Sequence, residues 1–321
     1  MPPVDVATPD VLPEPWRQRR ITLRPSAYYG PAPYAVLVHR AEPTAGRRAV
    51  LYLHGFTDYF FQAEHAERWI AAGTDFYALD LRRSGRASVG VSRPADIRDL
   101  RDHDEEIDAA IGQILADGHD EVVLLGHSTG GLIAVGYADR HPGAVDAVVL
   151  NSPWFEHNGP WAERALLTPL VHLLARWLPS LPVGGLDPGY GRSLHRTTGG
   201  AWDYDLAWKP FDGFPMRAGT FSAVRRAQAA LAAGLDVTVP VLVCCSTRSG
   251  SPKRPSREEL TGADCVLDVA HMVERAPLVG PDVSVVEIDG GVHDLALSRQ
   301  PARETYERTV IGWTADRLGG R

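Results

Sequence analysis

Apolar positions along this chain follow two rhythms that alternate. Short, nearly unbroken apolar runs occur at Ala49 to Leu53, Phe76 to Leu79, Val122 to Leu125, Val145 to Leu150, Val239 to Val243 and Val283 to Ile288. Runs of four to six residues of this kind, bounded by Gly, Asp, Asn or Pro, predict strands buried on both faces. Between them lie stretches with helical spacing: Glu64 to Ala72, Leu132 to Tyr137, Ser222 to Ala233 and a C-terminal stretch with Tyr306, Val310 and Trp313 on one face. The strongest such pattern puts Ile97, Leu100, Ile107, Ile111 and Leu115 on one face, with Asp96 expected at its start and Gly118 after its end. Strand and helix in alternation predict an α/β fold with a mostly parallel central sheet flanked by helices. Arg20 to Arg24 and Tyr34 to His39, separated by Gly30, Pro31 and Pro33, read as an antiparallel opening pair.

The alternation lapses between Asn151 and Ser222. Five of the eight tryptophans fall there, Trp154, Trp161, Trp177, Trp202 and Trp208, with a helical stripe through Leu166, Leu170, Leu173, Leu174 and Trp177. An insertion at the carboxyl end of a strand sits where open α/β sheets bind ligands. The organisation expected is an extended arm over 1–18, a core made of 19–153 and 219–321, and a helical cap over 154–218 that partly walls a site. Trp154 and Phe155, where the insertion begins, are candidate substrate contacts.

The chemistry centres on Gly126-His127-Ser128-Thr129-Gly130, a Gly-X-Ser-X-Gly turn between an apolar strand and a helix. A serine at such a turn sits in strained backbone with its hydroxyl clear of the sheet, and the glycines let strand and helix approach closely. A hydroxyl is a weak nucleophile at neutral pH, so it needs a base, and the base needs an acid to orient it. His293, after the last strand and the Gly290-Gly291 pair, is the candidate base. The candidate acids are Asp264 first and Asp268 second, with Glu156 a third. Two backbone N–H groups must stabilise the oxyanion. Thr129, after the nucleophile, and Phe56, in His54-Gly55-Phe56 after the first parallel strand, are the expected donors; His54 would anchor that loop. His54 and His127 complete the candidate substrate-contacting set.

Composition adds exclusions. The 321 residues carry a formal net charge of -7 with a pI near 5.9, which argues against a nucleic-acid surface. Positive charge is nearly all arginine, since Lys209 and Lys253 are the only lysines, as expected of a GC-rich bacterial genome. Cys244 and Cys245 are neighbours on a strand and Cys265 stands alone, so a disulfide framework is not expected. The Pro-rich N-terminus lacks the basic start and apolar core of a signal peptide, and no apolar run is long enough to span a bilayer. A cytoplasmic protein without an integral membrane segment is the expectation, with the oligomeric state left open. No clustered ligand set such as His-Glu-X-X-His occurs, so neither a metal nor a cofactor is expected.

Together His54-Gly55-Phe56, Gly126 to Gly131, Asp264-Cys265-Val266-Leu267-Asp268 and Gly291-Val292-His293-Asp294 resemble the α/β-hydrolase superfamily. The chain is most similar there to the monoacylglycerol lipase, lysophospholipase and serine aminopeptidase-like group, from about residue 20 onward. The resemblance implies a Ser-His-Asp triad, and it favours Asp264 because the family's acid opens an Asp-X-Val-like segment. It also shows a departure: an insert from Ser246 to Gly262 precedes that acid. The function implied is a serine hydrolase cleaving a small-molecule carboxylic ester with an apolar acyl group. A thioesterase or amide hydrolase with the same triad, and a non-catalytic ligand-binding protein on the same fold, are the alternatives.

Overall fold

The computed structural model describes residues 3–44, 46–158 and 161–319, with backbone alone for 161–167. In chain order it holds the strands β1 (Thr8–Pro9), β2 (Trp16–Thr22), β3 (Tyr34–Arg40) and β4 (Arg48–Leu53), the helix α1 (Ala63–Ala71) and β5 (Asp75–Asp80). There follow α2 (Asp104–Ala116), β6 (Glu121–His127), α3 (Thr129–Arg140), β7 (Ala147–Asn151), α4 (Trp161–Trp177), β8 (Pro182–Gly184), α5 (Pro188–Leu194), β9 (Met216–Arg217) and α6 (Ala218–Ala233). The chain closes with β10 (Val241–Ser246), α7 (Glu259–Gly262), α8 (Val269–Arg275), β11 (Val283–Ile288) and α9 (Ala302–Leu318).

The main sheet has the order β1-β2-β3-β5-β4-β6-β7-β10-β11. Its first three pairings are antiparallel, and from β5 to β11 every neighbour is parallel. Period-two alternation sends the strand side chains to two cores. Leu51, Leu53, Leu124, Val148 and Val243 pack with residues of α2, α3 and α6 on one face. Val50, Tyr52, Val123, Leu125 and Leu242 pack with Trp69 of α1 and Tyr306 and Val310 of α9 on the other. A parallel sheet covered on both faces leaves its strand ends as the place for chemistry, and the loops after β4, β6, β10 and β11 meet at one edge.

Several elements differ from the sequence expectation. The helix expected from Asp96 begins at Asp104, after a 3₁₀ turn over Leu100–His103 whose start Asp99 caps through its side chain. Asp96 is fully buried and accepts a hydrogen bond from Ser180, so its role is tertiary and not a helix cap. Leu115 is half exposed, and Ile114 takes its place in the core, completing the buried set Ile107, Ala110, Ile111 and Ile114. Within the insertion, Leu170, Leu173 and Trp177 are 52%, 57% and 78% exposed and Leu174 is half-buried, so these three members of the α4 stripe point outward. Helical spacing defines a stripe but not the side it faces, and here α4 packs on α6 through another face. Leu166 and Trp161 of that stripe and segment lie outside the described side chains. The later half of the insertion is anchored: Leu194 and Tyr204, with Tyr190, Trp202 and Trp208 beside them, pack on Tyr59, Phe61 and Leu297 of the core.

Candidate active site

Ser128 occupies the turn between β6 and α3 with φ 52 and ψ -115, outside the regions that a side-chain-bearing residue ordinarily adopts. The turn is possible because Gly130 has no Cβ: one built there would lie 2.3 Å from the Leu53 carbonyl oxygen. The Ser128 N–H donates to the Asn151 carbonyl, and the Ser128 carbonyl accepts from Gly131, Leu132 and Trp154. The strained residue is thus fixed on both sides, and its side chain enters a cavity.

His293 reaches that hydroxyl from the loop after β11. Its Nε2 lies 3.1 Å from Ser128 Oγ and its Nδ1 2.8 Å from Asp264 Oδ2. Asp264 is fully buried, and its Oδ1 accepts the N–H groups of Val266 and Leu267, both at 2.8 Å, which fixes the carboxylate plane. Asp268 does something else: it caps α8, accepting from Ala270 N–H and from the Ser249 hydroxyl. Glu156 is paired to Arg225 and Arg275, away from the histidine. Of the three acids considered from sequence, Asp264 is the one brought to His293.

A cavity of about 750 Å³ surrounds these groups, within the usual range for a small-molecule site. Phe56, Thr129, His127 and Trp154 line it, as expected. The Thr129 N–H is the first of α3 and has no intrahelical acceptor, so it is free to serve an oxyanion. Two expectations are corrected. Phe155 is 1% exposed and packs in the main core instead of the cavity wall. His54 is also outside the lining: its Nδ1 meets the Gly55 carbonyl and its Nε2 accepts the Leu81 N–H, tying the loop after β4 to the loop after β5. Burial lowers its pKa, which keeps the ring neutral in that role.

Polar residues to which the sequence reading gave no role also meet here. Lys209 crosses from the insertion to place its Nζ 2.5 Å from Asp58 Oδ1, just past the Phe56 turn. Tyr190, also from the insertion, accepts the Asp294 N–H on its hydroxyl at 2.8 Å and sets its ring edge-on to His293 at 5.9 Å. Asp294 receives the side-chain amides of Gln62 and Asn151. Burial alone would raise its pKa, yet His127, Lys209 and these amides hold it below the ordinary carboxylate value. The pKa of His127 is lowered, mainly by burial. Asp58, His127 and Asp294 bring donor atoms within 4.8 Å of one another, but the Lys209 ammonium already supplies the positive charge of that group. The signals were present in the sequence as an acid directly after His293 and a lysine in a chain with only two.

Comparison with known proteins identifies a family and a fold. Residues 44–297 match the family model Hydrolase_4, serine aminopeptidase, S33. A monoacylglycerol lipase of Mycolicibacterium smegmatis is 34% identical over 148 residues, 45% of this chain and 50% of that protein. The chain spans half or less of the length of the curated relatives it matches in these alignments. Among solved structures, a soluble variant of monoglyceride lipase from Saccharomyces cerevisiae aligns with TM-score 0.66 at 14% identity, covering 93% of this chain and 96% of that one. A monoacylglycerol lipase of Paleococcus ferrophilus aligns with TM-score 0.62 at 20% identity over 89% and 99%. These likenesses show the fold; with the family model spanning most of the chain, the protein belongs to the serine aminopeptidase S33 family of α/β-hydrolases.

Proposed function

We propose that this protein is a serine hydrolase that cleaves a carboxylic ester with an apolar acyl group, in the manner of a monoacylglycerol lipase. The observation that carries the reading is the hydrogen-bonded chain Ser128–His293–Asp264 on the wall of a cavity whose other residues include Trp154, Val171, Leu186, Met216, Phe221 and Leu267. Ser128 Oγ attacks the ester carbonyl carbon while His293 Nε2 takes its proton. Asp264 holds the Nδ1–H and stabilises the imidazolium. The Phe56 and Thr129 N–H groups stabilise the oxyanion, His293 returns the proton to the departing alcohol, and a water repeats the cycle on the acyl-enzyme. Residues 154–218 act as the cap of this site, with Trp154, Tyr190 and Lys209 facing the cavity.

The test is hydrolysis of p-nitrophenyl esters of increasing acyl length by the wild type and by Ser128→Ala, with fluorophosphonate labelling in parallel. Serine-dependent turnover that rises toward medium chains is expected. Labelling at Ser128 without turnover of any ester would overturn the ester assignment in favour of an amide or thioester. Absence of both, with acyl ligands still binding, would make the protein a receptor.

A further inference from the structure

The insert from Ser246 to Gly262 separates β10 from Asp264 and ends up at the cavity. Its tip, Pro252-Lys253-Arg254-Pro255, lines the cavity along all four residues, across from Val183, Gly184, Gly185 and Leu186 of the insertion. The tip is a closed turn. The Glu259 carboxylate accepts the Ser251 N–H at 3.0 Å on one oxygen and the Ser256 N–H at 2.7 Å on the other, clasping both ends of the segment. The Ser251 hydroxyl donates to the Lys253 carbonyl inside the turn, and Arg254 holds a left-handed backbone with φ 56. The two flanking prolines restrict the turn further.

This construction sets two cations on the rim without an acid paired to either. Glu259 is engaged with backbone N–H groups, and Glu258 pairs with Arg248 at 3.4 Å. Asp187, the acid on the facing rim, accepts the Gly189 N–H. Among the described residues neither Lys253 nor Arg254 has a side-chain hydrogen bond or an ion pair, and both are exposed. Deeper in the cavity the other lysine, Lys209, is ion-paired with Asp58, whereas Lys253 and Arg254 have no such partner among the described residues. A charged pair on an ordinary surface is merely solvated; here it borders an apolar cavity in a protein of net charge -7.

We infer that the Pro252-Lys253-Arg254-Pro255 turn is a specificity element that selects amphiphilic substrates whose rim-side end carries an anionic group, a carboxylate or a phosphate. The inference deepens the hydrolase reading and rests on it for the word substrate. Apolar contacts inside retain the chain, and the two cations retain the end that stays at the rim. Attraction between exposed charges is modest and screened by salt, so the preference falls as ionic strength rises.

The experiment has a binding arm and a turnover arm. In the first, octyl phosphate, octanoate and octanol are titrated calorimetrically into wild type, Lys253→Ser/Arg254→Ser and Lys253→Glu/Arg254→Glu, with Arg257→Ser, an exposed cation of the same insert outside the cavity, as control. The wild type is expected to prefer octyl phosphate or octanoate over octanol by about three- to tenfold, the range for one or two exposed charge pairs. The serine variant loses that preference, the glutamate variant reverses it, and Arg257→Ser keeps it. A preference for phosphate alone or carboxylate alone identifies which anion the turn reads. In the second arm, 1-octanoylglycerol is compared with its 3-phosphate, and the p-nitrophenyl ester of suberic acid with that of its monomethyl ester. The ratio of kcat/KM within each pair is expected to shift with the variants as binding does. Equal binding of the charged and neutral octyl compounds by the wild type would overturn the inference, as would a preference that survives in both double variants. An effect seen only on anionic vesicles would also overturn it, since the turn would then contact a bilayer. Failure of the hydrolase reading looks different: no ester of either pair is turned over, while the binding arm still decides what the turn recognises.

Discussion

Asp264 and Glu106 are both fully buried carboxylates, and their neighbours give them opposite tasks. Asp264 faces one imidazole and two backbone N–H groups, a set that orients His293 and fixes which nitrogen carries its proton. Asp264→Asn keeps the shape and reverses that preference, so kcat for a neutral ester should fall by about 10³- to 10⁴-fold with the melting temperature little changed. Steady-state kinetics beside thermal unfolding check this. Glu106 instead sits against Arg82, with Arg82 Nε at 2.8 Å, and against His103 Nδ1 at 2.7 Å. Burial alone would raise its pKa, but Arg82 and His103 hold it down to about 2. A folded value below the unfolded one of 4.5 means a contribution fully present above pH 4.5 and lost as pH falls through about 2. Urea unfolding of Glu106→Gln should show lower stability at neutral pH and a flatter loss between pH 4.5 and 2 than the wild type.

These two sites also mark what a sequence discloses at this scale. Ser128 and His293 are legible because their neighbours are local: glycines flank the one, and a strand end and glycine pair precede the other. The sequence ranks Asp264 ahead of Asp268 and the family resemblance favours it, although both are aspartates after the same strand. Their partners separate them: Asp268 is taken up in capping α8, while Asp264 meets an imidazole 29 residues further along. Lys209 and Tyr190 were missed because they meet their partners across 151 and 104 residues of sequence.

At the level of elements, the strands were read well because a doubly buried strand is apolar along its whole length, whatever surrounds it. Helix α2 was misplaced at its start because Asp96 resembles a cap in sequence while serving a buried contact to Ser180. The direction of the α4 stripe was not legible, because amphipathic spacing carries no information about which side meets protein. The β6–α3 junction is sensitive to a single methyl group. In Gly130→Ala the added carbon meets the Leu53 and His54 carbonyl oxygens, which are backbone and cannot swing aside. Overpacking of this kind typically costs about 1–3 kcal/mol. A drop of that size in urea unfolding is expected, together with slower fluorophosphonate labelling of Ser128.

Across the whole molecule, the insertion is fastened to two loops of the candidate site, by Lys209 and Asp205 to the one that carries Phe56 and by Tyr190 and Trp202 to the one that carries His293. Removing one partner of a buried ion pair strands the other, at about 3–5 kcal/mol. Lys209→Met should therefore lower the melting temperature and open the segment between α4 and α6 to limited proteolysis before the sheet is cut. Retention of wild-type cleavage kinetics would show that the pair holds nothing.

Those two fastenings have a consequence for traffic. Swinging this half of the insertion away from the sheet would drag on the same loops that hold the base and the oxyanion donors, and so dismantle the machinery it was meant to expose. On the proposed mechanism chemistry is completed with that half in place, and Val183–Leu186 and the turn at 252–255 line the cavity that substrate and products share. Of those products the carboxylic acid leaves last, after water has opened the acyl-enzyme, so the released acid should act as a competitor of the next substrate.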